Sequence, residues 1–332
     1  MASIKDVADA AGVSTATVSR VLTNKPHVRP QVRDRVLAVV EAMNYRPNRV
    51  ARSLRAQKSN VIGLIVADIR NPFFTAVSRS VEDIAYQHQL NVFLCNTDEN
   101  PAKEKMYLDL MQDQNVAGII LSPTRKLTET FSHTERFNIP TVTIDRRIPD
   151  ANIDSILIDN VEAAYNLTNH LFDDGHRKIA ALLGLDSFTA KERHKGYARA
   201  LAEHALEPSR EIVHYVRPKE EEGYRMTHEL LHLPEPPDAI LASNALLLEG
   251  AFRALSESTL AMPDEIALAG FDDPTWATLV KPQVTVIQQP VYEIGKVAAE
   301  LLIERIAEPE RAAREIILKS KLIVRQSCAH HA

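Results

Sequence analysis

A short segment near the start of this 332-residue chain has the side chains needed to contact nucleic acid. Apolar spacing predicts a helix whose buried face carries Val18, Val21 and Leu22. Its exposed face then carries Thr15, Ala16, Thr17, Ser19 and Arg20. Small polar groups and one guanidinium suit the major groove of DNA, where arginine can bond guanine through two hydrogen bonds. Arg20 is therefore the predicted base-reading residue.

Two other predicted helices and a turn would position that segment. Residues 4–11 place apolar side chains on one helical face, and Gly12 ends the run. Ser3 and Ser14 stand where their hydroxyl groups can cap the first and second helices. A third helix is predicted after Pro30, a residue suited to a first helical turn. The pattern predicts a helix-turn-helix DNA-binding head.

Charge separates this head from the rest of the chain. The first 60 residues contain eleven Lys and Arg and four Asp and Glu, a net charge of +7. Of the totals of 39 and 44, 28 basic and 40 acidic residues remain, a net charge of −12. A cationic module suits phosphate binding, and an anionic body avoids DNA. Because a charge run alone is often only a solvated face, the argument also depends on the helical pattern.

A second short helix is predicted just after the head. Asn48 can cap a helix from Arg49 to about Arg55, which places Val50 and Leu54 one turn apart. Helices below about 12–15 residues rarely persist alone in water. This segment therefore needs a partner to become helical, and ordinary packing on the core is the alternative for its two apolar side chains.

The remaining chain alternates short apolar runs with helical patterns. The runs are Val61–Ala67, Asn91–Cys95, Val116–Leu121, Pro140–Ile144, Ile156–Ile158, Ile179–Leu183, Ala239–Ala242 and Ile266–Gly270. Such runs predict parallel sheets covered by helices, and their number favours two lobes with a ligand crevice at the carboxyl ends of the strands. The predicted fold is a small all-α helix-turn-helix head plus an α/β core of two doubly wound parallel-sheet lobes.

The motifs of common α/β enzymes are absent from the sequence. No two of the ten glycines are two residues apart, which excludes G-x-G-x-x-G, and there is no Walker loop, G-x-S-x-G, H-E-x-x-H or C-x-x-C. Asp272 and Asp273 are sequence neighbours that point in different directions, which favours ligand binding or capping over an acid/base pair. We therefore expect neither enzyme activity nor a cofactor.

Metal binding and export are also disfavoured. Cys95 and Cys328 are too few and too far apart for a disulfide framework or a metal site, and the terminal group of Cys328, His330 and His331 is interpreted as a frayed tail. The sequence contains no apolar membrane span, and its amino terminus enters the first capped helix without an apolar signal segment. We expect a cytoplasmic protein.

Short motifs along almost the whole chain point to one protein family. They are Ile4-Lys5-Asp6-Val7-Ala8, Gly12-Val13-Ser14, Thr17-Val18-Ser19-Arg20-Val21-Leu22, Asn44-Tyr45-Arg46-Pro47-Asn48, Asn71-Pro72-Phe73-Phe74, Asp174-Gly175-His176, Gly270-Phe271-Asp272-Asp273 and Thr285-Val286-Ile287-Gln288-Gln289-Pro290. In these motifs the chain resembles the LacI/GalR family of bacterial transcription repressors. The core alone would resemble a periplasmic sugar-binding protein equally well.

The resemblance implies a domain plan and an assembly. The boundaries become 1–46 for the helix-turn-helix domain, 47–58 for the hinge helix and linker, and 59–332 for the effector-binding and dimerisation core. The first lobe would comprise 59–159 and 290–318, and the second 160–289 and 319–328, with three crossings between them. A homodimer on a near-palindromic operator is implied. No leucine heptad follows Arg325, so a tail-mediated tetramer is not expected.

The resemblance also assigns DNA contacts. Thr15 and Ala16 match base-reading positions but are small, so they offer only hydroxyl or methyl contacts. In the hinge, which would pair with its copy in the minor groove, Leu54 matches the residue that wedges between base pairs. The other hinge residues assigned to DNA are Asn48, Arg49 and Ala51. Phosphate contacts, with capping and solvation as the alternative, are assigned to Ser14, Thr17, Asn24, His27 and Arg33.

An effector site is carried over from the family position by position. Its main candidates are Phe73, Asp145, Arg193, Asn244 and Asp272. Weaker candidates are Phe74, Arg147, Phe188 and Trp276. Arg193 could clasp a carboxylate or a diol, Asp272 could accept from sugar hydroxyls, and an aromatic ring could cover an apolar ring face. A surface salt bridge is the alternative role for Arg193.

The kind of effector is predicted from one position at which the chain departs from the family pattern. Many relatives have an acid after Asn244, where this chain has Ala245. One acid fewer beside Arg193, Arg147 and Lys191 favours a sugar acid such as a ketogluconate over a pentose, a hexose or a purine. The expected mechanism is ligand-driven lobe closure that changes operator affinity, in either direction. A sugar-binding receptor and a metabolic enzyme are the alternatives from other classes.

Overall fold

The chain divides into two compact units, Met1–Ser59 and Asn60–Ala332. The computed structural model describes residues 2–22, 26–45, 59–124, 139–148, 153–185, 187–207 and 212–328. The hinge predicted at 47–58 lies outside these described residues. Among the described helices, none combines the length and the apolar character that crossing a membrane requires.

The first unit is the predicted three-helix head. Its helices are α1 (Ile4–Ala11), α2 (Thr15–Leu22) and α3 (Pro30–Ala42). At the start of α1 the Ser3 amide donates to Asp6 Oδ2 at 2.7 Å and the Asp6 amide donates to Ser3 Oγ at 3.3 Å, which is a capping box. Gly12 ends the helix with a φ of 61°, a left-handed conformation that suits glycine. The helices pack on a small core of Val7, Ala8, Ala11, Val18, Val21 and Val36.

The first lobe of the second unit is a parallel sheet covered by helices. Its elements are β1 (Val61–Val66), α4 (Pro72–Gln87), β2 (Asn91–Asn96), α5 (Pro101–Asp113), β3 (Gly118–Leu121), β4 (Thr141–Ile144) and β5 (Asp154–Ile158), completed near the end of the chain by α10 (Val291–Ala307) and β11 (Glu315–Leu318). The strand order is β11-β5-β4-β3-β1-β2, with every pair parallel.

The second lobe repeats the architecture with one antiparallel edge. Its elements are α6 (Asn160–Asp173), β6 (Ile179–Gly184), α7 (Phe188–Glu203), β7 (Val213–Val216), α8 (Glu220–Leu231), β8 (Ala239–Ala242), α9 (Ala245–Ser256), β9 (Ala267–Phe271), a 3₁₀ turn (Thr275–Thr278), β10 (Thr285–Gln288) and β12 (Lys321–Ile323). The strand order is β12-β10-β9-β8-β6-β7, and β12 runs antiparallel to β10.

The predicted fold class is confirmed, and all eight apolar runs are strands. The chain crosses between the sheets after β5, after β10 and after β11, so the carboxyl ends of two sets of strands face one crevice. The sequence reading missed β7, β10, β11 and β12. Of these, β7, β11 and β12 lie at sheet edges and are half exposed, so they lack the continuous apolar run that identified the buried strands.

Candidate functional site

The exposed side of α2 presents the residues predicted to meet DNA. Ser14, Thr15, Ala16 and Arg20 are exposed, and Thr17 is half-buried. The Thr17 amide donates to Ser14 Oγ at 3.2 Å, and the two hydroxyl oxygens lie 3.0 Å apart, so Ser14 caps the helix. An N-capped helix with small exposed side chains at its start can approach a duplex closely, as reading base edges requires.

The remaining predicted DNA contacts divide between described and undescribed parts of the chain. His27 is exposed, with a φ of 75°, and Arg33 is half-buried in the first turn of α3. Asn24, in the loop after α2, lies outside the described residues, as do the hinge residues Asn48, Arg49, Ala51 and Leu54. The contacts assigned to all of these residues stay predictions.

A cleft between the two lobes brings the five main effector candidates together. Phe73 and Asp145 line it from the first lobe, and Arg193, Asn244 and Asp272 line it from the second. The space between its lining atoms, including its open mouth, is about 540 Å³. A small ligand in this space would contact both lobes at once, and contacts that are complete only when the lobes are closed would favour the closed arrangement.

Arg193 is buried in the cleft wall, which excludes the alternative of a surface salt bridge. Its side chain lies on α7, and the residue is only 4% exposed. Nε donates to Asn160 Oδ1 at 2.8 Å, and Nη1 donates to the carbonyl oxygen of Ser243. The guanidinium carbon stands 3.9 Å from the ring centroid of Phe271. These contacts hold the guanidinium in one orientation before any ligand arrives.

Asp145 and Asp272 bring two buried carboxylates to the same cleft. Each follows a strand and has a positive φ, 67° and 72° respectively, so each marks a sharp turn of the chain. Asp272 accepts hydrogen bonds from the Ala245 amide at 3.0 Å and from Gln289 Nε2 at 2.7 Å. Burial raises the pKa of both carboxyl groups, and the opposing effects, chiefly of Arg146 on Asp145 and of Arg193 on Asp272, are smaller.

Two family models together span nearly the whole chain. "Bacterial regulatory proteins, lacI family" matches residues 3–48, and "Periplasmic binding proteins and sugar binding domain of LacI family" matches residues 59–326. The chain belongs to the LacI family. The resemblance inferred from the motifs is therefore confirmed, and the chain is a DNA-binding transcription regulator and not an enzyme.

Full-length relatives support the same assignment. The chain is 34% identical to the HTH-type transcriptional repressor PurR of Mannheimia succiniciproducens, with 98% of each protein covered. It is also 34% identical to the ribose operon repressor of Halalkalibacterium halodurans, covering 98% of this chain and 97% of the relative. Among solved structures it resembles a Lac repressor dimer bound to operator and the anti-inducer ONPF, with a TM-score of 0.87, 25% identity and 99% of each chain covered.

In this LacI-family chain the arginine at the cleft is the neighbour of the predicted one. Arg146 lines the cleft, whereas Arg147 is half exposed and pairs with Glu315 at 3.6 Å. Both Nη atoms of Arg146 donate to the Glu99 carboxylate, at 3.0 and 2.5 Å, and Nε donates to Asp145 at 3.2 Å. Both arginines follow the turn at Asp145, whose φ is 67°, so their order in the sequence did not show which of them faces the cleft.

The weaker aromatic candidates for the effector site do not all line the cleft. Phe74 lines the cleft beside Phe73, and the two rings meet edge to face with centroids 4.9 Å apart. Phe188 is half-buried and is not among the residues that line the cleft. Trp276 also lies outside this lining, because its ring packs on Phe252 with centroids 5.3 Å apart and faces a different cavity. The predicted cleft contact of Trp276 is therefore not made in this structure.

A salt bridge that the sequence reading missed joins the two lobes beside the cleft. Lys219, from the second lobe, places its Nζ 2.5 Å from Asp68 Oδ2 and 2.6 Å from Asp98 Oδ1 of the first lobe. Burial is the largest single effect on Asp68 and acts to raise its pKa, but the bonds and charges of Lys219 and Arg70 together outweigh burial and lower the pKa. Burial likewise acts to lower the pKa of Lys219, and the two carboxylates together raise it. A lone lysine before an acidic helix start gave no sequence signal for this role.

Proposed function

We propose that this LacI-family chain is a cytoplasmic homodimeric repressor whose operator affinity is controlled by a small sugar in the interlobe cleft. The observation that carries the proposal is the shared lining of Phe73, Asp145, Arg193, Asn244 and Asp272, contributed by both lobes. A ligand held by both lobes stabilises the closed arrangement by its differential affinity for that state. Coupling of about 1–3 kcal/mol is typical of such linkage, and DNA must weaken or strengthen ligand binding by the same factor.

The charge balance of the cleft favours a neutral sugar over the ketogluconate-like acid expected from the sequence. Every guanidinium nitrogen of Arg146 already donates to a protein acceptor. Arg193 donates through Nε and Nη1, which leaves Nη2 as its one nitrogen without a bond among the described residues. A carboxylate ligand would meet few available donors and the buried acids Asp145 and Asp272, whereas hydroxyl groups can donate to those acids.

The proposed dimer has a candidate surface on the first lobe. The edge strand β2 exposes Phe93 and Leu94, each 43% accessible, although large apolar side chains are usually covered. The helices before and after it in sequence expose Tyr86, Met106 and Leu110. An unpaired strand edge with exposed apolar side chains on either side supports self-association, and a two-fold dimer would read a near-palindromic operator.

A ligand screen with a matched pair of variants tests the proposed effector site. Neutral pentoses and hexoses and the corresponding sugar acids are screened by thermal shift, and hits are titrated by calorimetry with and without operator DNA. We expect a neutral sugar to bind, and Asp272→Asn and Arg193→Lys to weaken it at least tenfold while operator binding without ligand stays intact. Arg199→Lys, on the exposed side of α7, is the control and should bind normally.

Three results would contradict the proposal. Unchanged sugar titrations with Asp272→Asn and Arg193→Lys would remove the cleft from ligand binding. Selective binding of a sugar acid would restore the expectation drawn from the sequence. Failure of the purified chain to bind duplex DNA from its own promoter region at low ionic strength would reject the repressor function.

A further inference from the structure

A second cavity lies just outside the interlobe cleft, on the far side of the Lys219 bridge. The space between its lining atoms, including its open mouth, is about 1140 Å³, which is larger than the same measure for the cleft. Lys219 lines this outer cavity, whereas its partner Asp68 lines the cleft, so the salt bridge separates the two spaces. The LacI-family effector site described above does not include this outer cavity.

One helix connects the two spaces. Leu246, at the start of α9, lines both the cleft and the outer cavity. Glu249, Phe252, Arg253 and Ser256 of the same helix line only the outer cavity. These positions recur every three or four residues, so they form one helical face. From residue 246 to residue 256 that face is about 15 Å long, at 1.5 Å per residue, which is longer than a single sugar ring requires.

The wall of the outer cavity combines aromatic rings with carboxylates that are available to a ligand. Trp276 and Phe252 pack at 45° with centroids 5.3 Å apart. Arg253 is paired with Glu220 at 2.5 Å. Neither Glu221 nor Glu249, among the described contacts, accepts a hydrogen bond. Aromatic rings that cover an apolar ring face, next to carboxylates that accept from hydroxyl groups, suit a neutral sugar ring.

The frame of this cavity is rigid. The helices α8 and α9 pack so closely that a Cβ atom added at Gly250 would lie 2.0 Å from the carbonyl oxygen of Glu220. A Cβ at Gly223 would lie 2.5 Å from the carbonyl oxygen of Leu247. Both distances are far shorter than any tolerated contact, so the two backbones touch and fix the side chains that line the cavity. A preformed wall loses little entropy when a ligand binds.

We propose that the outer cavity is a second sugar subsite and that the effector is an oligosaccharide whose first ring occupies the interlobe cleft and whose next ring lies against Trp276 and Phe252. This inference rests on the proposed function, because it extends the same ligand beyond the cleft. The glycosidic linkage would pass over Leu246, beside the bridge from Lys219 to Asp68. Trp276, predicted to cover a sugar ring, would do so in this subsite and not in the cleft.

Titration of matched sugar series tests the subsite. The probes are glucose with maltose and maltotriose, glucose with cellobiose and cellotriose, and xylose with xylobiose and xylotriose. In one series we expect the disaccharide to bind at least tenfold more tightly than its monosaccharide. In Glu249→Gln combined with Glu221→Gln, and separately in Trp276→Leu, that gain should fall below threefold while monosaccharide affinity is unchanged. Glu300→Gln, exposed on α10 and not among the residues that line the cavity, should keep the full gain.

The outcomes separate this inference from the proposed function. Monosaccharide binding that requires Arg193, with no gain for any longer sugar, would overturn the subsite and leave the proposed function standing. A gain that persists in the double glutamine variant and in Trp276→Leu would also overturn it. If no saccharide of the three series binds, the subsite is rejected, and the neutral-sugar effector is judged separately by the wider screen of pentoses and hexoses. The glutamine substitutions are on exposed side chains, so the test does not depend on whether Trp276→Leu folds.

Discussion

The DNA-facing side of the head and the walls of the cleft are built to recognise their ligands in different ways. At the start of α2, the capping residue Ser14 and the helical residues Thr15 and Ala16 are exposed at the surface of a three-helix unit with a small core. In the cleft, Arg146 and Arg193 are buried and already bonded to protein oxygens. The head therefore presents its side chains to a large charged polymer in water, whereas the cleft surrounds a small molecule with preoriented groups. Different perturbations should disturb the two regions.

Salt should separate the two regions most strongly. DNA binding that neutralises about six phosphates is expected to lose about 10³-fold in affinity between 50 and 200 mM salt, because condensed counterions are released. Binding of a neutral sugar in the buried cleft should change less than threefold over the same range. Fluorescence anisotropy with operator DNA and calorimetry with the sugar measure the two slopes. Equal salt dependences of DNA affinity and sugar affinity would contradict this distinction between the head and the cleft.

Removing a buried charge should affect the core far more than removing an exposed neighbour. Arg146→Met leaves the carboxylates of Glu99 and Asp145 without their cation, and we expect a loss of about 3–5 kcal/mol in the free energy of unfolding. Arg147→Met, one residue away and half exposed, should cost less than about 0.5 kcal/mol. Urea unfolding measures both. Similar losses would mean that burial does not distinguish the two arginines.

Within the head, base contacts and phosphate contacts should differ in specificity. Arg20→Ala is expected to weaken operator binding by about 1–3 kcal/mol and to relax the preference at one base pair. Arg33→Ala should weaken binding to all sequences alike and reduce the salt slope by about one. Competition with single-base operator variants distinguishes these results. Retention of full sequence preference in Arg20→Ala would remove that residue from base reading.

The smallest expected effect is a pH dependence confined to the cleft. Burial raises the pKa values of Asp145 and Asp272 above the ordinary 3.8, so both carboxyl groups gain protons earlier than exposed ones as pH falls. Sugar affinity should be highest above the raised pKa values and should fall as pH is lowered through them, since a protonated carboxyl accepts less well. Calorimetry at stepped pH, with Asp272→Asn expected to flatten the profile, tests this. A flat wild-type profile down to pH 4 would contradict it.

The predictability of the structure from sequence depended on periodicity. The head was predictable because apolar residues such as Val18 and Val21 repeat at helical spacing and Ser3 and Gly12 mark helix limits. Buried strands such as β1 were predictable because parallel strands are apolar on both faces. The edge strands β7, β11 and β12 were not, since half of their side chains meet solvent.

The site was predictable only where family motifs marked it. Asp272 and Asn244 lie beside strand ends that the pattern had located, and the structure brings them together. Arg146 was missed because the turn at Asp145, with its φ of 67°, decides which of the two neighbouring arginines faces the cleft, and the motif did not reveal that turn. Lys219 was missed because its partners are 151 and 121 residues away in sequence, so only the folded arrangement of two lobes reveals the bridge.

The salt bridge from Lys219 to Asp68 and Asp98 has a consequence for how long a ligand stays bound. Because Lys219 joins the two lobes beside the cleft, separation of the lobes breaks both of its ion pairs. The dwell time of the loaded regulator, and hence how long a cell keeps responding after a nutrient runs out, would then depend on one lysine at the rim. The deeper side chains would still decide which nutrient is recognised, so persistence and selectivity could evolve separately.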